Sequence, residues 1–298
     1  MKSNPIGFQT ITWGFGNKEL QEAWKDISEL GFRYFEVLNV SSLVDDFERR
    51  TLQLGPVGPA QRLTDTDYLS WVGLLTEAKR VHDLQVTSIY TDAEFINPNI
   101  WAMELDQFIS MAVILSGLGA HHLICGGGPP ARNGDHSPQE YAAMAQSLET
   151  AGKRCKEFGI ELCYHPHIDT FVQTDRELRE LAAATDPALV GLCIDPAHFS
   201  LTGGDPVEIF RTHIDRIKYC HLKDLDSGDP KRWSGKERYD AFAELGTGQV
   251  DLKGIVTVLR EHDYAGPLIV ELDYSKTSPR QSAEANKKYL RDALGLSW

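Results

Sequence analysis

Eight short β-rich runs alternate with longer stretches along this chain, and that alternation limits the folds open to it more than any single motif does. The runs are Ile6–Ile11, Arg33–Leu38, Gln85–Tyr90, His122–Cys125, Ile160–His165, Val190–Asp195, Arg216–His221 and Pro267–Leu272. Amphipathic segments lie between them at Lys18–Leu30, Tyr68–His82, Trp101–Leu118, Gln139–Phe158, Asp175–Ala184 and Leu252–His262. In Glu29–Phe32, Ser116–Ala120 and Glu157–Ile160 a glycine follows a helical run and precedes a strand, the signal of a helix C-cap. Repeated β-α units with no break in composition predict an α/β fold, a (β/α)8 TIM barrel forming a single domain over residues 1–298. An open doubly wound sheet is the competing arrangement, because periodicity does not reveal closure. Three long connections, Asn39–Thr66, Gly126–Pro138 and Leu222–Asp251, follow strands. In a barrel they lie on the C-terminal face, where active sites form.

Composition excludes several partners. A formal net charge of −13 repels phosphate backbones, so nucleic acid is not the expected ligand. The longest apolar runs are strand-sized, well short of the roughly 20 residues a membrane span needs. Met1–Phe8 lacks a basic flank followed by an apolar core, and no secretory signal is expected. Cys125, Cys155, Cys163, Cys193 and Cys220 stand singly, as small buried hydrophobes in a reducing cytoplasm do. The glycines of Gly126–Pro130 lack the Lys-Ser/Thr of a phosphate loop, so a plain turn is expected there. No nucleophile elbow or dinucleotide fingerprint appears.

The polar chemistry gathers at strand ends. Four consecutive strands finish with His165 (and His167), Asp195, His221 (then Lys223 and Asp224) and Glu271 (then Asp273). Neighbouring strand ends of a parallel barrel ring one opening. Taken singly, a strand-end Asp is usually a helix N-cap and a lone His a hydrogen-bonded structural residue. Together, His165, Asp195, His221 and Glu271 offer two imidazoles and two carboxylates to a divalent cation, Mn²⁺, Co²⁺ or Zn²⁺, with Mn²⁺ favoured. Side chains alternate across a strand, so Cys163, Cys193 and Ile269 should lie one step deeper on the same inner face. Trp13 and Glu36 fall near the mouth, as a stacking surface for a sugar and an acceptor for its hydroxyls. Glu244 falls in a polar loop, Arg232–Gly248, a candidate lid.

The segments Tyr164–Thr170, Asp195–His198, His221–Asp224, Leu245–Asp251 and Val270–Asp273 together resemble the xylose isomerase-like TIM-barrel superfamily. It includes sugar (phosphate) isomerases and epimerases, AP endonuclease-like proteins and inosose dehydratases. The resemblance implies metal ligands at His165, Asp195, His221 and Glu271. It also implies a substrate-hydroxyl contact at His198 and an oxygen-binding cation at Lys223. Ketose epimerases carry a glutamate where this chain has His165, which weakens a two-glutamate proton exchange. The Tyr164-His165-Pro166-His167 run, followed by Thr170 and Gln173, resembles the inosose dehydratase branch.

The expectation is a cytoplasmic, metal-dependent enzyme, with His167, His198 and Glu271 catalytic. Its substrate is a small sugar or cyclitol, and it works by α-proton abstraction and elimination. The alternatives are isomerisation or epimerisation, β-elimination cleaving a glycoside and, least favoured, a non-catalytic sugar-binding protein; a homo-oligomer is allowed.

Overall fold

The computed structural model describes residues 4–14, 16–39, 65–131, 134–226, 228 and 239–298, with the side chains of 65–69 excepted. Eight parallel strands close into a barrel: β1 (Ile6–Gln9), β2 (Tyr34–Leu38), β3 (Gln85–Ala93), β4 (His122–Gly127), β5 (Glu161–Tyr164), β6 (Val190–Ile194), β7 (Ile217–Leu222) and β10 (Leu268–Val270). Closure is made by β10, which pairs with β1 on one side and β7 on the other. The doubly wound alternative is thereby removed. Between β7 and β10 a small antiparallel pair, β8 (Asp224–Leu225) and β9 (Phe242–Ala243), stands on the C-terminal face. Much of the expected connection after β2 and part of the expected lid lie outside the described residues.

The helices among the described residues are α1 (Asn17–Glu29), α2 (Asp65–His82), α3 (Trp101–Gly117), α4 (Pro138–Lys156), α5 (Asp175–Ala184), α6 (Pro196–Leu201), α7 (Pro206–His213), α8 (Leu252–Glu261) and α9 (Pro279–Asp292). Their starts are locally encoded. Ser137 with Glu140 and Thr174 with Glu177 form reciprocal capping boxes, and Asp205, Asp251 and Ser278 accept from first-turn amides. No helix among them is long and apolar enough to cross a membrane.

Two departures from the sequence-based expectation have clear causes. β1 stops at Gln9 because the Gln9 side chain accepts from the Ile11 amide and turns the chain into a 3₁₀ segment, Thr10–Trp13. β3 runs three residues beyond Tyr90, since Asp92 and Ala93 find register partners in Gly126 and Gly127 of β4.

The core divides at the barrel wall. Strand and helix side chains outside the barrel form one large cluster. Inside it, Ile124, Cys163, Cys193, Tyr219 and Ile269 form a second layer. The expected depth of Cys163, Cys193 and Ile269 is observed. All five cysteines are free and buried.

Candidate active site

Alternation carries each inner-layer residue to a polar residue two positions on, at the C-terminal mouth. Cys193 leads to Asp195, which leaves β6 and starts α6. Its Oδ1 accepts from the Ala197 amide at 2.7 Å, capping the helix. Its Oδ2 has no hydrogen-bond partner and faces the site. The aspartate is therefore both N-cap and site residue, one oxygen for each. One helical turn later His198 returns to the same place, its Nε2 3.6 Å from Asp195 Oδ2. That geometry brings a carboxylate and an imidazole three residues apart into one space.

Three donor atoms, one each from Asp195, His221 and Glu271, lie within 4.8 Å of one another. His221 Nδ1 and Glu271 Oε2 are 2.7 Å apart yet are not aligned as a hydrogen bond, and both are buried without partners. The opposite ring nitrogen, His221 Nε2–H, donates to Glu36 Oε1 at 3.0 Å. A carboxylate can only accept, so Nε2 carries a proton and Nδ1 is the nitrogen directed at the cluster, where it would hold a cation once unprotonated. An acid group behind a metal-binding histidine is the usual support of such ligands.

Electrostatics point the same way. Glu36, Asp195 and Glu271 are buried, and Lys223 has no exposed surface. Burial pushes the Asp195 carboxyl up to about 6, with Lys223 opposing. Glu271 is held well below the ordinary carboxylate range because Lys223 and His221 outweigh its burial. Burial alone would lower the Lys223 ammonium, but Asp273, Glu271 and Asp195 overcome it and keep the charge. Its Nζ lies 2.9 Å from Glu271 Oε1, 2.6 Å from Asp273 Oδ2 and 3.7 Å from Asp195 Oδ2, with the Phe242 ring 4.1 Å below. Three carboxylates around one lysine, Asp195, Glu271 and Asp273, leave an excess of negative charge, which a divalent cation at the unpartnered oxygens and Nδ1 would neutralise. The donor set fits such an ion, with Asp195, His221 and Glu271 as its holders.

His165 sits beside this group rather than within it. Its Nδ1–H donates to the Cys193 carbonyl at 3.2 Å, and its donor atoms group with His221 and Cys193, and separately with His167 and His198. Burial holds the Cys193 thiol up at about 12, so it remains a packing group at neutral pH. His167 donates Nδ1–H to the Ile168 carbonyl at 2.7 Å, and its ring centroid lies 3.8 Å from that of His198. Both ring nitrogens of His198 are buried without hydrogen-bond partners. Burial, then His167 and Lys223, pushes its pKa well below the ordinary imidazole range, so it is held neutral.

Three residues expected to touch substrate have partners within the protein. Glu36 is fully buried and accepts from His221 through Oε1. The Trp13 Nε1–H donates to Asp26 at 3.0 Å, and its ring packs edge-on against Phe8. Glu244 turns to α9, where Ser282 donates to its Oε1 at 2.7 Å. The sequence reading missed a fourth device. Asp224 accepts from the amides of Leu225 and Val250 on Oδ1 and of Gly246 and Gly248 on Oδ2. It thus ties the Leu245–Val250 loop down next to Lys223. A Cβ at Gly248 would lie 2.2 Å from the Leu225 carbonyl oxygen, so the loop needs glycine there. The spacing of Asp224 to the Gly-Thr-Gly run was the available signal.

A closed eight-stranded barrel with its polar residues at the ends of strands five to eight agrees with the comparison by sequence. A family model described as xylose isomerase-like TIM barrel matches residues 24–293. The chain belongs to that family. An inosose dehydratase from Clostridium tetani is 34% identical over 167 residues, 53% of this chain and 56% of that protein. The chain thus spans about half the length of this relative. An inosose dehydratase from Clostridium perfringens is 29% identical over 245 residues, 76% of this chain and 82% of that protein. Among solved structures, the IolI protein with a bound zinc atom superposes with a TM-score of 0.72 at 17% identity, over 99% of this chain and 98% of that one. At that identity the likeness is one of fold.

Proposed function

We propose that this chain is a divalent-metal-dependent lyase that removes water from a keto-cyclitol or keto-sugar. The observation that carries the reading is the convergence of Asp195, His221 and Glu271, each with one buried atom that lacks a hydrogen-bond partner, beside a charged lysine and two adjacent histidines. The inosose dehydratase relatives support the choice of substrate class.

A bound cation would act as a Lewis acid toward the substrate ketone, making the adjacent C–H acidic. Lys223, kept charged by its three carboxylates, donates to a substrate oxygen. His198, held neutral, takes the α-proton. His167, oriented by its Nδ1–H bond to the Ile168 carbonyl, protonates the departing β-hydroxyl. The α C–H and β C–O bonds break, a C=C bond forms, and the products are an enone and water. Exchange with solvent returns both histidines to their starting states. Glu271 holds the cation and Lys223 rather than moving a proton.

The test is a panel of inososes and free ketoses with Mn²⁺, Co²⁺ or Zn²⁺, read by enone absorbance and by solvent-deuterium exchange. Enone formation on inosose with any of these ions supports the reading. Efficient ketose epimerisation without water loss overturns it.

A further inference from the structure

The inner face of β3 continues from Ser88 to Tyr90 and Asp92 by the same alternation that positions the other site residues. Tyr90 packs on the inner barrel layer and turns edge-on to His165, ring centroids 5.6 Å apart. Its hydroxyl donates to Asp92 Oδ1 at 2.6 Å. Tyr90, Asp92 and His167 are only half-buried, whereas Asp195, His198, His221 and Lys223 are sealed. Inside a closed barrel, solvent reaches inward-facing residues through the mouth, so its open part lies on the β3–β5 side.

The chain makes room for this pair at the first glycine of the Gly126–Pro130 run. Gly126 is the register partner of Asp92, and a Cβ there would lie 2.1 Å from the Tyr90 hydroxyl oxygen and 3.0 Å from Asp92 Oδ1. The glycine expected to serve a plain turn is a clearance for two polar side chains. Burial, then Asp92, raises the Tyr90 phenol far above its ordinary range, so it stays a proton donor to the carboxylate. The Tyr90 oxygen keeps its lone pairs, and Asp92 keeps acceptor capacity beyond this one bond. Two oxygens with acceptor capacity, side by side, match the hydroxyl donors of a polyol.

We propose that Tyr90 and Asp92 form the hydroxyl-recognising wall of the site, binding the polyol end of a cyclitol or sugar whose carbonyl end lies at Lys223 and the cation cluster. This rests on the function proposed above, so the test separates the two. Binding of myo-inositol, which has no ketone and cannot undergo the elimination, is measured calorimetrically on the full chain with Mn²⁺. Metal affinity and thermal melting are measured in parallel. Asp92→Ala should weaken polyol binding about 10–100-fold, as loss of a hydrogen bond to a charged group does, with metal affinity within about threefold of wild type. Asp92→Asn keeps the shape and should show a smaller loss in the same direction. Gly126→Ala, by crowding the pair, should match Asp92→Ala.

The wall is overturned if the wild-type chain does not bind the polyol, if Asp92→Ala leaves binding unchanged, or if metal affinity falls in step with it. Polyol binding that depends on Asp92 in a chain inert toward inososes would uphold the wall and remove the dehydratase reading. Turnover of inosose with a KM indifferent to Asp92→Ala would do the reverse.

Discussion

Cys163, Cys193, Tyr219 and Ile269 precede His165, Asp195, His221 and Glu271 by two residues each, so four strands carry one member of each set on the inner face. The deeper set behaves as a core. Its members are apolar or find partners: the Tyr219 hydroxyl donates to Thr87 at 2.7 Å, and Thr87 donates to the Phe35 carbonyl. The set at the mouth leaves Asp195 Oδ2, His221 Nδ1, Glu271 Oε2 and both nitrogens of His198 buried without hydrogen bonds. Leaving such groups unsatisfied costs folding free energy, on the order of 1–3 kcal/mol each. One ring of the barrel is thus built to hold the fold and the next to hold a ligand.

The largest effect that could break this contrast is at Asp195. Asp195→Asn keeps an oxygen to cap α6 but removes the charge, so metal binding should be lost. Turnover should fall at least about a thousandfold, several kcal/mol of Lewis-acid stabilisation disappearing, with the melting temperature near that of wild type. A metal titration and a melt read both; normal turnover at controlled metal would remove the division. In the layer below, Ile269→Ala should cost about 2–5 kcal/mol of stability by denaturant unfolding, while the folded protein keeps its metal affinity. A loss of metal without a loss of stability would reverse the assignment of the two layers.

The far end of the barrel supplies a pH test. Burial, aided by His121 and Lys218, pulls the His122 imidazole down to about 4, even with Glu161 3.9 Å away. The unfolded chain then binds the extra proton between pH 6.5 and about 4 and the folded one does not. Stability from this group is therefore full above pH 6.5 and falls as pH drops toward 4, by up to about 3 kcal/mol. His122→Asn should flatten that slope in urea titrations at pH 7 and pH 4.5; an unchanged slope would place the titration elsewhere. The smallest effect concerns support for the site. Glu36→Gln should weaken metal binding about tenfold through His221 and leave the melt nearly unchanged. Equal metal affinity in the variant would make Glu36 a packing residue only.

Which parts were legible depends on how far apart the determining residues lie. All eight strands and six amphipathic segments were visible as local periodicity, because each pattern is carried by adjacent residues. α9 was not: the face it buries holds Ser282, Ala283, Asn286 and one leucine, Leu290, so no apolar stripe marks it. Ser278 before Pro279 was the remaining signal, an N-cap followed by proline at the first helical position. At the mouth, residues at the ends of successive strands could be grouped from the sequence because alternation and strand order fix them. The partners of those residues could not.

The sequence by itself determined the β-α order, the inward parity of the strands that end at His165, Asp195 and Glu271, and the placing of His165, Asp195, His221 and Glu271 at successive strand ends. These follow from contacts between near neighbours in the chain. Only the tertiary structure decided that the sheet closes through β10. It alone set Glu36 behind His221, 185 residues away, and turned Trp13 and Glu244 to helix partners. It also left Tyr90 and Asp92 as the open side of the mouth. Such pairings depend on barrel closure and on which side chain reaches across the lumen. Local propensity carries no information about that distance.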